Sequence, residues 1–181
     1  MPGTLTPSRP VLGICAHGSG TGKTTLLTQL IPALAAAGLK VSFIKHAHHA
    51  FDIDHPGKDT FRIRESGAVQ TLIGSRHRWA LMTELSHIAP DRQEPDLAEL
   101  LTHLDASIVD LVLVEGFKQE PIPKIEVYRP SMGRPLLAAS DPHIIAVAAD
   151  GVVDTPLPVL DLNNAGDIAT FVQSWLQQHP L

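Results

Sequence analysis

The sequence is poor in cysteine, in charged residues and in long apolar runs. A single cysteine among 181 residues excludes an internal disulfide and a zinc site built from several cysteines. Charged residues make up only 18% of the chain and apolar residues 44%, which excludes an intrinsically disordered protein. Lysine and arginine number 14 against 19 acidic residues, and the net charge of −5 argues against general binding to nucleic acid.

No apolar stretch is long enough to predict a membrane span. The best stretches, residues 30–39 and 144–149, fall well short of the roughly 18 residues required. Residues 1–10 hold three prolines and no apolar block, so they differ from a secretory signal and are predicted to form a flexible tail. We therefore expect a cytoplasmic protein with a single domain over residues 11–181.

Apolar strand-like runs alternate with helix-like segments along the chain. This alternation is typical of an α/β fold with a mostly parallel sheet and helices on both faces. Strands are predicted at residues 11–16, 41–45, 111–114, 125–128 and 144–148, a hairpin at 69–73 with 79–82, and helices at 23–37, 59–65, 96–104 and 167–178. Pro32 is expected to destabilise or kink the first helix, and Asp59 is a candidate N-cap of the second.

A glycine-rich loop follows the first predicted strand and opens the first predicted helix. It reads Gly18-Ser19-Gly20-Thr21-Gly22-Lys23-Thr24-Thr25. Glycines let backbone N–H groups turn toward phosphate oxygens, and the helix N-terminus adds the positive end of a dipole. Lys23 is expected to reach the β- and γ-phosphates, the Thr24 hydroxyl to bind Mg²⁺, and Thr25 to lie near the α-phosphate.

This loop predicts a nucleotide site in a three-layer sandwich of the P-loop NTPase type. It departs from the usual G-x-x-x-x-G-K-[ST] pattern at one position, because His17 stands where the first glycine belongs. The remaining glycines leave the loop enough freedom to curl.

An acidic residue ends the apolar run 111–114. This run and Glu115 resemble a Walker B strand, whose carboxylate faces the metal directly or through water. Ligands of open α/β sheets bind at the carboxyl ends of the strands, so Glu115 is a better candidate than Asp110 at the other end.

The segment after the second predicted strand is rich in histidine and aspartate. Its candidate residues for a cofactor or switch loop are Lys45, His46, His48, His49, Asp52 and Asp54. Such a segment often senses the γ-phosphate and Mg²⁺, while imidazoles also suit zinc or nickel, a phosphate or a partner. The sequence leaves these roles open.

Asp150 ends the apolar run at 144–149 and is a candidate reader of the nucleotide base. A carboxylate there could accept the N1–H and a 2-amino hydrogen of guanine, a donor pair that adenine lacks. The N-K-x-D pattern of many GTPases is absent, because Val147 and Ala148 stand in place of its asparagine and lysine.

Several strings together resemble the MobB family of molybdopterin-guanine dinucleotide biosynthesis adapter proteins. They are SGTGKTTLL at 19–27, IKHAHH at 44–49, PGKD at 56–59, RWALMTE at 78–84 and LVEGFK at 113–118. The second and fourth are far more specific than the phosphate loop, and the match runs in order from about residue 11 to residue 175.

The resemblance implies a homodimeric GTP-binding protein with weak GTPase activity and bound Mg²⁺. It implies a partner, the MobA-like molybdopterin guanylyltransferase that joins GMP to molybdenum-bound molybdopterin. The adapter would present GTP, the pterin as molybdopterin or its guanine dinucleotide, or both. Carried over by position, residues 20 and 22–25 hold phosphates and Mg²⁺, Glu115 lies by the metal, and His46, His48 and Lys118 face the same edge.

Two other functions compete with this expectation. The histidine-rich loop would suit a nickel or zinc metallochaperone GTPase. A small-molecule kinase would need a lid with catalytic arginines, which only Arg62, Arg64, Arg76 and Arg78 could supply.

Overall fold

The computed structural model describes residues 8–47, 51–92 and 94–179, which form two compact units. The larger unit comprises the described residues up to His46 and from Asp96 onward, and the smaller unit comprises those between 47 and 95. A single domain over residues 11–181 stays a prediction, because compactness does not measure whether two parts unfold together. At the end of the predicted tail, the Arg9 Nε donates to the Ala106 carbonyl at 2.7 Å.

Helices and strands follow one another closely along the chain. In order they are β1 (Val11–Cys15), α1 (Lys23–Ala36), β2 (Val41–Lys45), α2 (Asp59–Glu65), β3 (Gln70–Gly74), β4 (Trp79–Thr83), α3 (Leu85–Ile88), α4 (Leu97–Thr102), β5 (Leu111–Glu115), β6 (Lys124–Tyr128), β7 (Ile144–Ala149), β8 (Val159–Asp161) and α5 (Ala165–Gln178).

The larger unit is built on a parallel sheet. Within the described residues the sheet has six strands in the order β2-β5-β1-β6-β7-β8. Alternate residues of β1 enter two separate cores: Leu12 and Ile14 pack with α1 and α5, and Val11 packs with α4. The predicted mostly parallel sheet with helices on both faces is therefore confirmed.

The predicted elements differ from the structure at a few points. Helix α1 ends at Ala36, one residue before its predicted end, and runs through Pro32 as its predicted range did, packed by buried Leu26, Leu30 and Leu34. Asp59 is the first residue of α2 rather than its cap, a position occupied by Lys58. Strand β8 was not predicted, because three residues are too few for an alternating pattern to be recognised.

The smaller unit contains the predicted hairpin. Strands β3 and β4 pair antiparallel, with Leu72 opposite Leu81 and Gly74 opposite Trp79. Among the described residues of the whole chain, no helix combines the length and the apolar character of a membrane span.

Candidate nucleotide-binding site

The glycine-rich loop leaves the end of β1, a central strand between β5 and β6 whose five residues are all buried. The loop turns through two left-handed glycines, Gly20 at φ 75° and Gly22 at φ 103°, a conformation that favours glycine. Thr21 between them is buried, and Lys23 begins α1 directly after the turn. The structure thus has the strand, tight loop and helix N-terminus that the sequence predicted.

The loop and the first turn of α1 bring several donor groups together. The Lys23 Nζ folds back and donates to the Gly18 carbonyl at 3.0 Å, across the loop from its own backbone. Thr24 and Thr25 are exposed on the first turn of α1, which contains no acidic residue. An ammonium, two hydroxyls and the positive end of a helix dipole match the charge and oxygen chemistry of a magnesium triphosphate. The residues present therefore fit such a ligand.

Glu115 lies at the carboxyl end of β5, beside both β1 and β2. Its Cα is in register with Ile14 on one side and with Lys45 on the other. Its side chain is buried, and the Lys45 Nζ lies 4.0 Å from its Oε2. A buried carboxylate at the carboxyl end of a central strand has the surroundings expected of a Walker B acid, and its role beside a metal stays a prediction.

Gly116 and His46 bring the ends of β5 and β2 together. Gly116 has φ 98°, and a Cβ there would lie 2.7 Å from the His46 Cβ, so only glycine permits this approach. The His46 N–H donates to the Glu115 carbonyl at 2.9 Å, and its ring lies 5.0 Å from that of Phe117. Lys118 follows as an exposed residue. Lys45, His46 and Glu115 thus lie together at the carboxyl ends of β2 and β5, and their roles at a nucleotide site, with that of Lys118, stay predictions.

Arg129 is a site residue that the sequence analysis missed. It follows Tyr128 at the end of β6, and its Nε donates to the Thr21 carbonyl of the glycine loop at 2.9 Å. Its Nη1 forms an ion pair with the carboxylate of Asp150. A Cβ on Gly22 would lie 3.1 Å from its Nη2, so the guanidinium lies directly against the loop. The only signal in the sequence was a basic residue at the end of a strand.

Asp150 therefore belongs to the edge of the sheet that carries the glycine loop, and its carboxylate is engaged by Arg129. Guanine recognition by Asp150 stays a prediction.

Asp52 and Asp54 lie in the smaller unit, and their carboxylates bind other residues of that unit. Asp52 pairs with Arg64 at 2.5 Å, and Arg64 also pairs with Glu84 at 3.1 Å. A hydrogen bond from the Asp54 N–H and the adjacent Arg64 hold the pKa of Asp52 below its usual value, against the effect of desolvation. The Asp54 Oδ1 accepts from the Thr60 hydroxyl at 3.1 Å. His48 and His49, the other candidates of this segment, lie outside the described residues.

Cys15 does not behave as a reactive thiol. Burial, followed by the charge of Glu126, raises its pKa to about 12, so the thiol remains protonated at neutral pH. Within residues 8–47, 51–92 and 94–179, no three histidine, cysteine, aspartate or glutamate side chains lie together as a metal site.

Glu126 is fully buried on β6 and accepts the N–H groups of Leu137 and Ala138, each at 2.8 Å. Burial raises its pKa, although these hydrogen bonds favour the charged form. It holds the segment after β6 against the sheet.

A family model described as "Molybdopterin guanine dinucleotide synthesis protein B" (MobB) matches residues 11–150. The molybdopterin-guanine dinucleotide biosynthesis adapter protein of Escherichia coli strain K12 is 48% identical over 170 residues, covering 93% of this chain and 94% of that protein. The adapter protein of Haemophilus influenzae strain Rd is 44% identical over 167 residues, covering 92% and 89% of the two chains.

Solved structures agree with the fold. A crystal structure of molybdopterin-guanine biosynthesis protein B superposes with a TM-score of 0.70 at 28% identity, covering 92% of this chain and 99% of the other. The MobB homologue from Bacillus stearothermophilus superposes with a TM-score of 0.64 over 93% and 99% of the two chains, and at 23% identity it bears on the fold alone.

Proposed function

This chain belongs to the MobB family of molybdopterin-guanine dinucleotide biosynthesis adapter proteins, and from this premise we propose that it is a GTP-binding adapter. Membership of this family supports the adapter role in molybdopterin-guanine dinucleotide synthesis. The binding of GTP with Mg²⁺ is the further step that we propose. One observation carries it: residues 18–22 form a tight loop between a buried central strand and a helix N-terminus, and Lys23 at the start of that helix folds back across the loop.

Each loop residue has a role in this proposal. The amides around Gly20 and Gly22 and the Lys23 ammonium would hold the β- and γ-phosphates, with Ser19 and Gly18 closing the loop and Thr25 near the α-phosphate. The Thr24 hydroxyl would bind Mg²⁺, with Glu115 beside it. Mg²⁺, when bound, neutralises phosphate charge. Lys45 and His46 lie beside Glu115 at the end of β2, and with Lys118 they would meet the far end of the nucleotide or the pterin.

We propose that hydrolysis of GTP by the protein alone is slow. Arg129 lies against the loop, but its Nε and Nη1 are already engaged by the Thr21 carbonyl and by Asp150. An arginine that stabilises the transition state of phosphoryl transfer directs its donors at the γ-phosphate, whereas these two nitrogens are directed at protein groups. Slow turnover suits an adapter that presents GTP to a cytoplasmic molybdopterin guanylyltransferase, with molybdopterin or its guanine dinucleotide as a second ligand.

We further propose that the protein is a homodimer. On the β3–β4 hairpin, Leu72, Trp79 and Leu81 lie on one face and are 67%, 69% and 44% exposed. A two-stranded hairpin is marginally stable alone, and clustered exposed apolar side chains mark interaction surfaces. A second copy of the chain would cover this face.

The test compares the wild-type protein with Lys23→Ala and with Lys40→Ala, a matched change at an exposed lysine outside the site. Calorimetry measures binding of GTP at millimolar Mg²⁺, and a reconstituted assay measures the guanine dinucleotide made by a molybdopterin guanylyltransferase. We expect Lys23→Ala to weaken GTP binding at least about tenfold, since a charge-assisted hydrogen bond contributes about 1.5–3 kcal/mol. The same variant should lose stimulation of the transferase, and Lys40→Ala should behave as wild type.

Two negative results have different meanings. If the wild-type protein bound neither GTP nor ATP, the nucleotide site would be refuted. If it bound GTP but neither associated with the transferase nor changed the yield, the assistance given to that enzyme would be refuted while the GTP site stood.

A further inference from the structure

Arg129 connects two loops at the carboxyl edge of the sheet. Its Nε donates to the Thr21 carbonyl at 2.9 Å, and its Nη1 is paired with Asp150, 21 residues further along the chain. The Arg129 and Asp150 side chains are 31% and 23% exposed, so the pair is partly shielded from water. The two bonds use different nitrogens of one planar guanidinium. A shift of Asp150 would therefore move the guanidinium and, with it, the Thr21 carbonyl of the glycine loop.

The hydrogen bond from Arg129 to the Thr21 carbonyl fixes the direction of the Gly22 N–H, one of the amides proposed to bind phosphate. The Thr21 carbonyl and the Gly22 N–H belong to the same planar peptide group, and the chain contains no cis peptide among its described residues. In a trans peptide these two groups point in opposite directions. Arg129 therefore holds the Gly22 N–H directed away from itself, at the residue whose left-handed φ of 103° forms the turn into α1.

We propose that Arg129 and Asp150 form a brace that positions the Thr21–Gly22 peptide for the triphosphate, with Asp150 acting through Arg129 and not on the base. This inference rests on the proposed GTP site and assigns these two residues as positioning residues of that site. Arginine suits the role because its fork reaches two acceptors at once, whereas a lysine ammonium presents a single point charge. Because a carboxylate has about four lone-pair sites, the bond from Arg129 leaves acceptor capacity on Asp150, and the probes below separate positioning of the loop from recognition of the base.

The brace contributes little to folding, which makes it testable. Partly exposed ion pairs are worth about 0–1 kcal/mol of stability, so its variants should remain folded. The variants are Arg129→Ala, Arg129→Lys, Asp150→Asn and the double variant Arg129→Ala/Asp150→Asn. The matched controls are Arg134→Ala and Asp154→Asn, which change exposed residues of the same charge nearby in the sequence. Thermal unfolding without ligand checks that each variant is folded.

Three probes separate positioning of the loop from recognition of the base: magnesium GTP, magnesium inosine triphosphate, which lacks the 2-amino group, and magnesium tripolyphosphate, which lacks a base. We expect Arg129→Ala and Asp150→Asn each to weaken all three by a similar factor, about tenfold, which corresponds to one charge-assisted hydrogen bond. The ratio of GTP to inosine triphosphate affinity should not change. The double variant should bind no more weakly than Arg129→Ala, because both changes remove the same brace.

Other outcomes overturn the inference. If Asp150→Asn weakened GTP but left tripolyphosphate unaffected, Asp150 would be a reader of guanine. Unchanged affinities for Arg129→Ala, full recovery in Arg129→Lys, or additive losses in the double variant would show that the two residues do not act as one brace. Failure of the wild-type protein to bind GTP would instead refute the proposed function on which the inference rests.

Discussion

At the residue scale, Lys124 places a charged group inside the fold. This side chain is 1% exposed, its Nζ donates to the Glu120 carbonyl at 2.6 Å, and it pairs with Asp141 at 2.9 Å. Burial alone would raise the pKa of Asp141, but the hydrogen bond and charge of Lys124, with hydrogen bonds from His143, hold it below the usual 3.8. A buried ammonium needs such a partner, since an unpaired buried charge is strongly unfavourable.

We predict that Asp141→Asn lowers the free energy of unfolding at neutral pH by about 3 kcal/mol, because it leaves the Lys124 ammonium buried without its counter-charge. A group whose pKa is depressed in the folded state contributes stability above its unfolded pKa and loses it as the pH falls through the folded pKa. The difference between wild type and Asp141→Asn should therefore be largest near pH 7 and shrink below 3.8.

Urea unfolding at several pH values measures this difference. Asp154→Asn, at an exposed position, serves as the control. Adding Lys124→Met to Asp141→Asn should recover part of the loss, since it removes the buried charge. Equal stability of Asp141→Asn and Asp154→Asn at pH 7 would contradict the prediction.

At the scale of single elements, β1 depends on a glycine as much as on its apolar residues. Gly13 pairs with Lys124 in the parallel register of β1 and β6. A Cβ at Gly13 would lie 2.6 Å from the Cγ of the Lys124 stem, which is fixed by burial. The buried Lys124 side chain therefore occupies the space that a side chain at position 13 would need.

We predict that Gly13→Ala destabilises the protein by about 1–3 kcal/mol through overpacking, because the Lys124 stem cannot move aside. Denaturant unfolding of the variant gives the value. Gly74→Ala is the control, since an added Cβ there would meet only the Trp79 Cβ at 4.0 Å. A Gly13→Ala variant as stable as wild type would show that the Lys124 stem can shift.

The bounds of helices and strands were predictable where the apolar pattern was long or where glycine, proline or charged residues flanked it. β2 and α2 have the predicted bounds, and α1 continues through Pro32 because its buried leucines offset the lost hydrogen bond. The capping role expected of Asp59 was wrong, because the helix begins at that residue, and β8 was missed because its three residues carry no recognisable period. Tertiary packing decides such boundaries more than propensity does.

At the scale of the whole molecule, the β3–β4 hairpin exposes an apolar face that suits contact with a partner. Leu72 and Leu81 are directly opposed across the two strands, next to Trp79. Large side chains clustered on one exposed sheet face are costly to leave in water. The proposed homodimer would bury them.

We predict that the double variant Leu72→Lys/Leu81→Lys is monomeric where the wild-type protein is dimeric, because charged side chains on this face would have to be buried unpaired. Sedimentation equilibrium measures the mass in solution. Ile108→Lys, which changes an exposed isoleucine of the larger unit, should leave the dimer intact. A monomeric wild-type protein, or a variant that stays dimeric, would refute the hairpin as the dimer contact.

The sequence by itself determined the glycine loop, the strand that feeds it, the acidic end of β5 and, through several specific strings, the family. Each of these is encoded within about ten neighbouring residues, where spacing and residue type are sufficient. Only the tertiary structure decided the strand order, the pairing of Lys124 with Asp141, and the contact of Arg129 with Thr21 across 108 positions of sequence. Such contacts depend on how parallel strands are placed side by side in the sheet, and that arrangement leaves no local pattern in the chain.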